Sequence, residues 1–77
     1  MTPIPAFAKM QDSAVEMALV TADDSRASMM EVEVALRVLL ERGNPQDSEH
    51  LLAVHSLNDR VGRFYGKRPV PAKWEAP

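Results

Sequence analysis

Apolar residues at Phe7, Met10, Ala14 and Met17 are spaced by three, four and three, with Ala18 widening the stripe, which draws one face of a helix. Pro3 and Pro5 suit a first helical turn, where a missing N–H loses no partner. The pattern therefore predicts a short N-terminal helix over about residues 4–20, with Ile4 in its first turn. It dissolves at Thr21-Ala22-Asp23-Asp24-Ser25, whose polar side chains compete for backbone hydrogen bonds. A break is expected there. Because no Gly or Pro falls between Ala6 and Arg42, one continuous helix over 4–42 is the alternative.

A second helix is predicted over about 24–42, with two possible starts. One is an Asp24/Ser25 cap; the other is the capping box Ser28-Met29-Met30-Glu31, in which serine and glutamate satisfy each other's free backbone N–H groups. Gly43 is expected to stop it in the left-handed conformation. In Asn44-Pro45-Gln46-Asp47, Asn44 can cap the next helix, Pro45 fits its first position and Asp47 favours the positive end of its dipole. That places a third helix over about 45–65 and closes a tight antiparallel hairpin. Leu51, Val54, Leu57, Val61 and Phe64 share one side of it, with Ser56, Asp59, Arg60 and Arg63 elsewhere. Gly66 ends the helix, and residues 67–77 are too rich in proline to continue it. Nothing alternates with period two for long enough to build a sheet. The expected architecture is all-α: a helical hairpin preceded by a shorter helix, one domain over 1–66 and an extended tail over 67–77.

At 100° per residue, Met29, Val32, Ala35, Leu36, Leu39 and Leu40 fall in one arc of the second helix, the hairpin core. Met30, Val34 and Val38 make a second apolar ridge on the opposite side, bordered by Glu31, Arg37, Glu41 and Arg42. A lone hairpin cannot bury both. Either the N-terminal helix covers the ridge or another chain does, a second copy being the simplest candidate. Burying three such side chains is worth roughly 5–9 kcal/mol gross, against about 4–15 kcal/mol for lost freedom on association. A two-fold dimer uses the ridge twice and adds Phe7, Met10 and Met17 if the first helix crosses over. Five methionines suit an adaptable binding surface as well as ordinary core filling.

Composition narrows the class. Seventy-seven residues allow one small domain, and a chain with no cysteine has no disulfide or thiolate metal site to staple it, so association is expected. The absence of cysteine also excludes thiol catalysis and iron–sulfur chemistry and fits a reducing compartment. No apolar run approaches the roughly 18 residues of a membrane span, and no basic segment followed by an apolar stretch opens the chain; a cytoplasmic protein is expected. Plentiful Ala, Val and Arg hint at a bacterial or phage origin.

The net charge of −2 hides an asymmetry: residues 1–50 carry four basic and nine acidic groups, residues 51–77 five and two. With a pI near 5.6, the chain lacks the footprint of a nucleic-acid domain, so its basic end alone would have to carry that role. There Arg60, Arg63, Tyr65, Lys67, Arg68, Lys73 and Trp74 interleave cations with aromatics. Such a surface can dock an acidic protein with Trp74 as anchor, or bind phosphates with base stacking. Alternatively, Trp74 folds back onto the hairpin.

His50 and His55 are the groups that titrate near neutrality, but a spacing of five sets them about 140° apart, not on one face as two ligands of one metal would be. His50 falls on the apolar face and is expected to be partly buried and hydrogen-bonded; His55 is expected to face solvent. The serines form no Gly-x-Ser-x-Gly elbow and the three glycines no phosphate-binding fingerprint. Glu33, Arg37 and Glu41 form an i, i+4 ladder on a solvated face. No catalysis, cofactor or metal is expected. The reading is a protein-interaction module, an accessory regulator or inhibitor binding a larger protein as a homodimer. Its dimer or partner ridge is Met30, Val34 and Val38 with Glu31 and Arg42, and its tail surface runs from Arg60 to Trp74. A nucleic-acid or nucleotide binder using the basic end is the alternative.

Overall fold

The computed structural model describes residues 12–75. Three helices, α1 (Ser13–Asp23), α2 (Met29–Arg42) and α3 (Ser48–Tyr65), are followed by a single 3-10 turn at Ala72–Trp74, with no strand among the described residues. The fold is all-α. Asp12 at the start of α1 pairs with Arg42 at the end of α2 at 3.0 Å, so these helices run antiparallel. Arg60, late in α3, reaches the carbonyls that end α1, so α3 runs alongside α1 and antiparallel to α2.

The break falls where the polar stretch predicted it, and its local chemistry decides between the two possible starts of α2. Asp24 stands at the end of α1, its N–H bonded to the Thr21 carbonyl, while its side chain accepts from the Arg26 N–H. The helix starts instead at the Ser28/Glu31 capping box, with both reciprocal bonds made, at 3.1 and 2.8 Å. The expected start near residue 24 is thus five residues too early.

α1 begins at an Asp12 cap whose side chain accepts from the Ala14 N–H. The expected stretch from residue 4, with Phe7 and Met10, lies outside the described residues. The buried face of α1 is also not the one its sequence first suggests. Val15, Ala18, Leu19 and Ala22 face the core, while Met17 is 63% exposed. This helix carries two apolar stripes, and Val15/Leu19/Ala22, at i, i+4 and i+7, provides the one that packs.

The hairpin turn differs in detail. Asn44 caps a turn rather than a helix: its side chain accepts from the Gln46 N–H and its carbonyl from the Asp47 N–H. Asp47 is the cap of α3, and Pro45 sits in the turn, so α3 starts at Ser48 instead of 45. Gly43 is extended (φ −79, ψ 173), not left-handed. What it supplies is space, since a Cβ there would stand 2.6 Å from the Leu39 carbonyl and 3.1 Å from Cη2 of Trp74.

The core gathers Val32, Ala35 and Leu39 of α2 and Ala53, Val54, Leu57 and Val61 of α3 around the α1 stripe, with Met29, Leu36, Leu40 and Leu51 packed at its edge. Phe64, placed with the α3 core by its spacing, is 65% exposed. Phe64 lies one turn beyond Arg60, whose guanidinium already meets the carbonyls that end α1, so α1 does not reach far enough to cover it. There Phe64 makes an edge-to-face pair with Tyr65, centroids 4.8 Å apart.

Candidate functional surfaces

Covering the α2 core arc leaves its second ridge outside. α1 packs along the Ala35 side of α2 but does not close over the ridge: Met30 is 75% and Val34 54% exposed, while Val38 is half-buried. With Met17, Ala14 and Thr21 of α1 they line an open, largely apolar groove of about 430 Å³ between the two helices. Single exposed apolar residues are ordinary on a protein surface; a contiguous groove of them marks a contact site. The polar border is partly committed. Glu31 is engaged in the capping box and Arg42 in the ion pair with Asp12.

The second candidate surface is reorganised by the fold. Arg60, read from sequence as part of a free basic cluster, is instead an internal cap: its guanidinium donates to the carbonyls of Asp24 (2.9 Å), Thr21 (3.5 Å) and Ala22. These acceptors include orphan carbonyls at the end of α1, where a cation also meets the negative end of the helix dipole. Trp74 is likewise removed from the surface. It is fully buried, the largest of the wholly enclosed side chains, so the fold-back alternative describes its position. Arg63, Tyr65, Lys67, Arg68 and Lys73 stay exposed.

Tyr65 and Arg68 close one end of a second open groove, about 390 Å³, between α2 and α3, with Leu36, Leu40 and Val61 beneath and Glu33 and Arg37 on its rim. Glu33, expected only as part of a solvated ladder, faces Tyr65 across this groove. Hydrogen bonding of the phenol to that carboxylate, with lesser contributions from burial and the carboxylate charge, raises the phenol pKa against the opposing pull of Arg68. The Arg68 guanidinium lies 6.0 Å from the Tyr65 ring centroid.

Both histidines hold structure. His50, half-buried as expected, accepts the Asn44 N–H on Nδ1 at 3.0 Å and points Nε2 at Asp47, 3.6 Å away, so it braces the hairpin turn. His55 does not simply face solvent: half-buried, its Nε2 lies 2.7 Å from the Trp74 carbonyl and must be the donor of that bond. Sequence reasoning missed His55 and Arg60 as anchors because their partners are backbone carbonyls 19 and 36–39 residues away, which no local spacing reveals. Among the described residues no group of three His, Asp or Glu side chains is placed to hold a metal ion, and no helix is long and apolar enough to cross a membrane. The chain matches no family model, no curated protein and no solved structure.

Proposed function

We propose that the protein is a non-enzymatic interaction module that pairs with a second copy through the α1–α2 groove and, as that homodimer, acts on a larger protein as an accessory regulator or inhibitor in the cytoplasm. The observation that carries this reading is the groove itself, with Met17, Met30 and Val34 all more than half exposed around one apolar trough. Their exposures of 63, 75 and 54% add up to about two whole side chains still to be buried. At roughly 1.5–3 kcal/mol each, that is about 3–6 kcal/mol per copy and about 6–12 kcal/mol for a two-fold pair that uses the groove twice. Association costs about 4–15 kcal/mol, so the pair forms with a Kd of about micromolar at its tightest. A foreign chain offering no matching groove would gain only half as much from this surface.

A non-catalytic role is supported by the commitment of both histidines to backbone and turn contacts. The larger partner is then left the Tyr65 end, where Phe64, Tyr65, Arg63, Lys67 and Arg68 are exposed together. The same end supports the nucleic-acid reading, but with Arg60 engaged inside the fold that reading has one cation fewer. It requires affinity that falls steeply between low and moderate salt, as displaced counterions dictate.

Absolute mass by light scattering over a dilution series tests the pairing. The wild type should pass from about 8.5 kDa toward about 17 kDa as concentration rises through the micromolar range, and Val34→Asp should stay monomeric with unchanged helix content. A wild type that remains monomeric at high micromolar concentration, or a Val34→Asp dimer, would refute it.

A further inference from the structure

Between Gly66 and Trp74 the chain crosses the bundle with one half-buried apolar side chain, Val70, against the core, and is otherwise held unlike the rest of the protein. We propose that residues 67–75 form a releasable strap, hinged at Gly66 and pinned by Trp74, that opens and closes over the α2–α3 cleft while the three helices stay folded.

The hinge is physically distinct. Gly66 is the one positive-φ residue among those described (φ 109), and nothing lies within 4 Å of where its Cβ would be, so the chain turns there in open space with a backbone free to take other angles. Beyond it, the strap's own backbone bonds are local, from the Trp74 N–H to Pro71 and from the Glu75 N–H to Ala72. No backbone bond ties residues 67–75 to a helix among the described residues. Two side chains of α3, three residues apart, hold it instead: Asn58 donates to the Arg68 carbonyl at 2.9 Å and His55 to the Trp74 carbonyl at 2.7 Å.

Between those two fastenings the strap is not close-packed. Half-buried Val70 touches the core, but beside it an open pocket of about 260 Å³ separates the strap from α3, lined by His55, Asn58, Asp59, Lys67, Arg68, Pro69 and Val70. Pro69 and Pro71 stiffen the span, which favours movement as a unit over fraying residue by residue. The pin itself carries a cost. Trp74 Nε1 is buried with no acceptor among the described residues, a penalty that opening to water relieves. Release would uncover the apolar seat beside Gly43 and Leu39 and carry Lys67, Arg68 and Lys73 away from the hairpin together. The strap thus controls access to that seat, independently of whether the α1–α2 groove pairs two copies.

Hydrogen exchange on the full chain tests this, because the sole tryptophan gives one indole N–H signal whose protection comes from burial alone. In the wild type the Trp74 indole should exchange at least about ten-fold faster, relative to its intrinsic rate, than the amides of Leu39 and Leu57, and without their urea dependence. His55→Ala should speed the indole roughly 2- to 13-fold, the loss of one ordinary hydrogen bond, and leave the helix amides unchanged. Asn58→Ala should act in the same direction from the other fastening. Equal protection and equal urea dependence of indole and core amides in the wild type would overturn the proposal. So would variants that speed every site alike, or that leave the indole rate where it was.

Discussion

Replacing Gly43 by alanine separates two uses of a glycine, conformational freedom and empty space. Its backbone (φ −79, ψ 173) is open to any residue, so alanine brings no dihedral strain. It brings a methyl group whose carbon would stand 2.6 Å from the Leu39 carbonyl oxygen, 3.2 Å from Leu39 Cδ2 and 3.1 Å from Trp74 Cη2. The first contact is with backbone and cannot be relieved by turning a side chain. Overpacking of this kind costs about 1–3 kcal/mol. Against it, alanine restricts the unfolded chain and returns about 0.4–1 kcal/mol. The expected net loss is therefore about 1.3 kcal/mol, within a span of about 0–2.6 kcal/mol, against roughly 4–12 kcal/mol of total stability for a domain of 77 residues. Urea unfolding followed by far-ultraviolet circular dichroism measures the loss, and the emission of the single tryptophan reports whether the ring has been displaced. The expected variant unfolds at lower urea and emits further to the red under native conditions. Unchanged midpoint and unchanged emission would refute the reading of Gly43 as the space into which Trp74 fits.

Other outcomes follow from the same contacts. Arg60→Ala should lose about 1.5–3 kcal/mol in urea unfolding, because it removes charged hydrogen bonds from the carbonyls that end α1, and Arg60→Lys should not restore them, lacking the planar fork. Ser28→Ala should cost about 1 kcal/mol, measured the same way, by removing one half of the capping box. Tyr65 should titrate above its ordinary 10.0 by ultraviolet absorbance, and Glu33→Gln should bring it down. The neutral phenol is the hydrogen-bonded form, so its contribution to stability is present below pH 10 and is lost as pH rises through the raised value. Arg42→Ala, which removes the ion pair but leaves the Asp12 cap of α1, should change stability by less than about 1 kcal/mol, since the Arg42 side chain is 55% exposed.

Local signals in the sequence carried as far as local forces do. The polar stretch after Thr21 set the break, 3.6-residue periodicity set the core arc of α2 with Val32, Ala35 and Leu39 inside, and the capping box at Ser28 and Glu31 was one of two starts on offer, the one the helix uses. That Met30 and Val34 lie outside the hairpin core was legible for the same reason, as one helix cannot turn two apolar sides to one hairpin, but that α1 leaves them exposed was not. Periodicity fails where a helix carries two stripes, as α1 does, because packing chooses between them. It fails again at Phe64, where the spacing continues but the neighbouring helix does not. The turn residues were read as a helix cap although Asn44 and Asp47 are equally good acceptors, and the three-residue shift in the start of α3 records which one closes the turn. Least legible were Arg60, His55 and Trp74, whose surroundings are assembled from residues at least 19 positions away. A cation and an aromatic near a basic end look like a binding surface in one dimension; here they hold α1 and the C-terminal strap in place.

Cross-linking at the groove shows whether two copies meet there. The chain has no cysteine, so Val34→Cys and Val20→Cys each carry a single thiol, both at exposed positions but only the first within the groove. Treated with a short bismaleimide at concentrations from micromolar upward, Val34→Cys should give a covalent dimer that dilution suppresses, while Val20→Cys should stay monomeric. Equal cross-linking of the two, or none at Val34→Cys where the wild type scatters as a dimer, would contradict the assignment of the groove to a second copy.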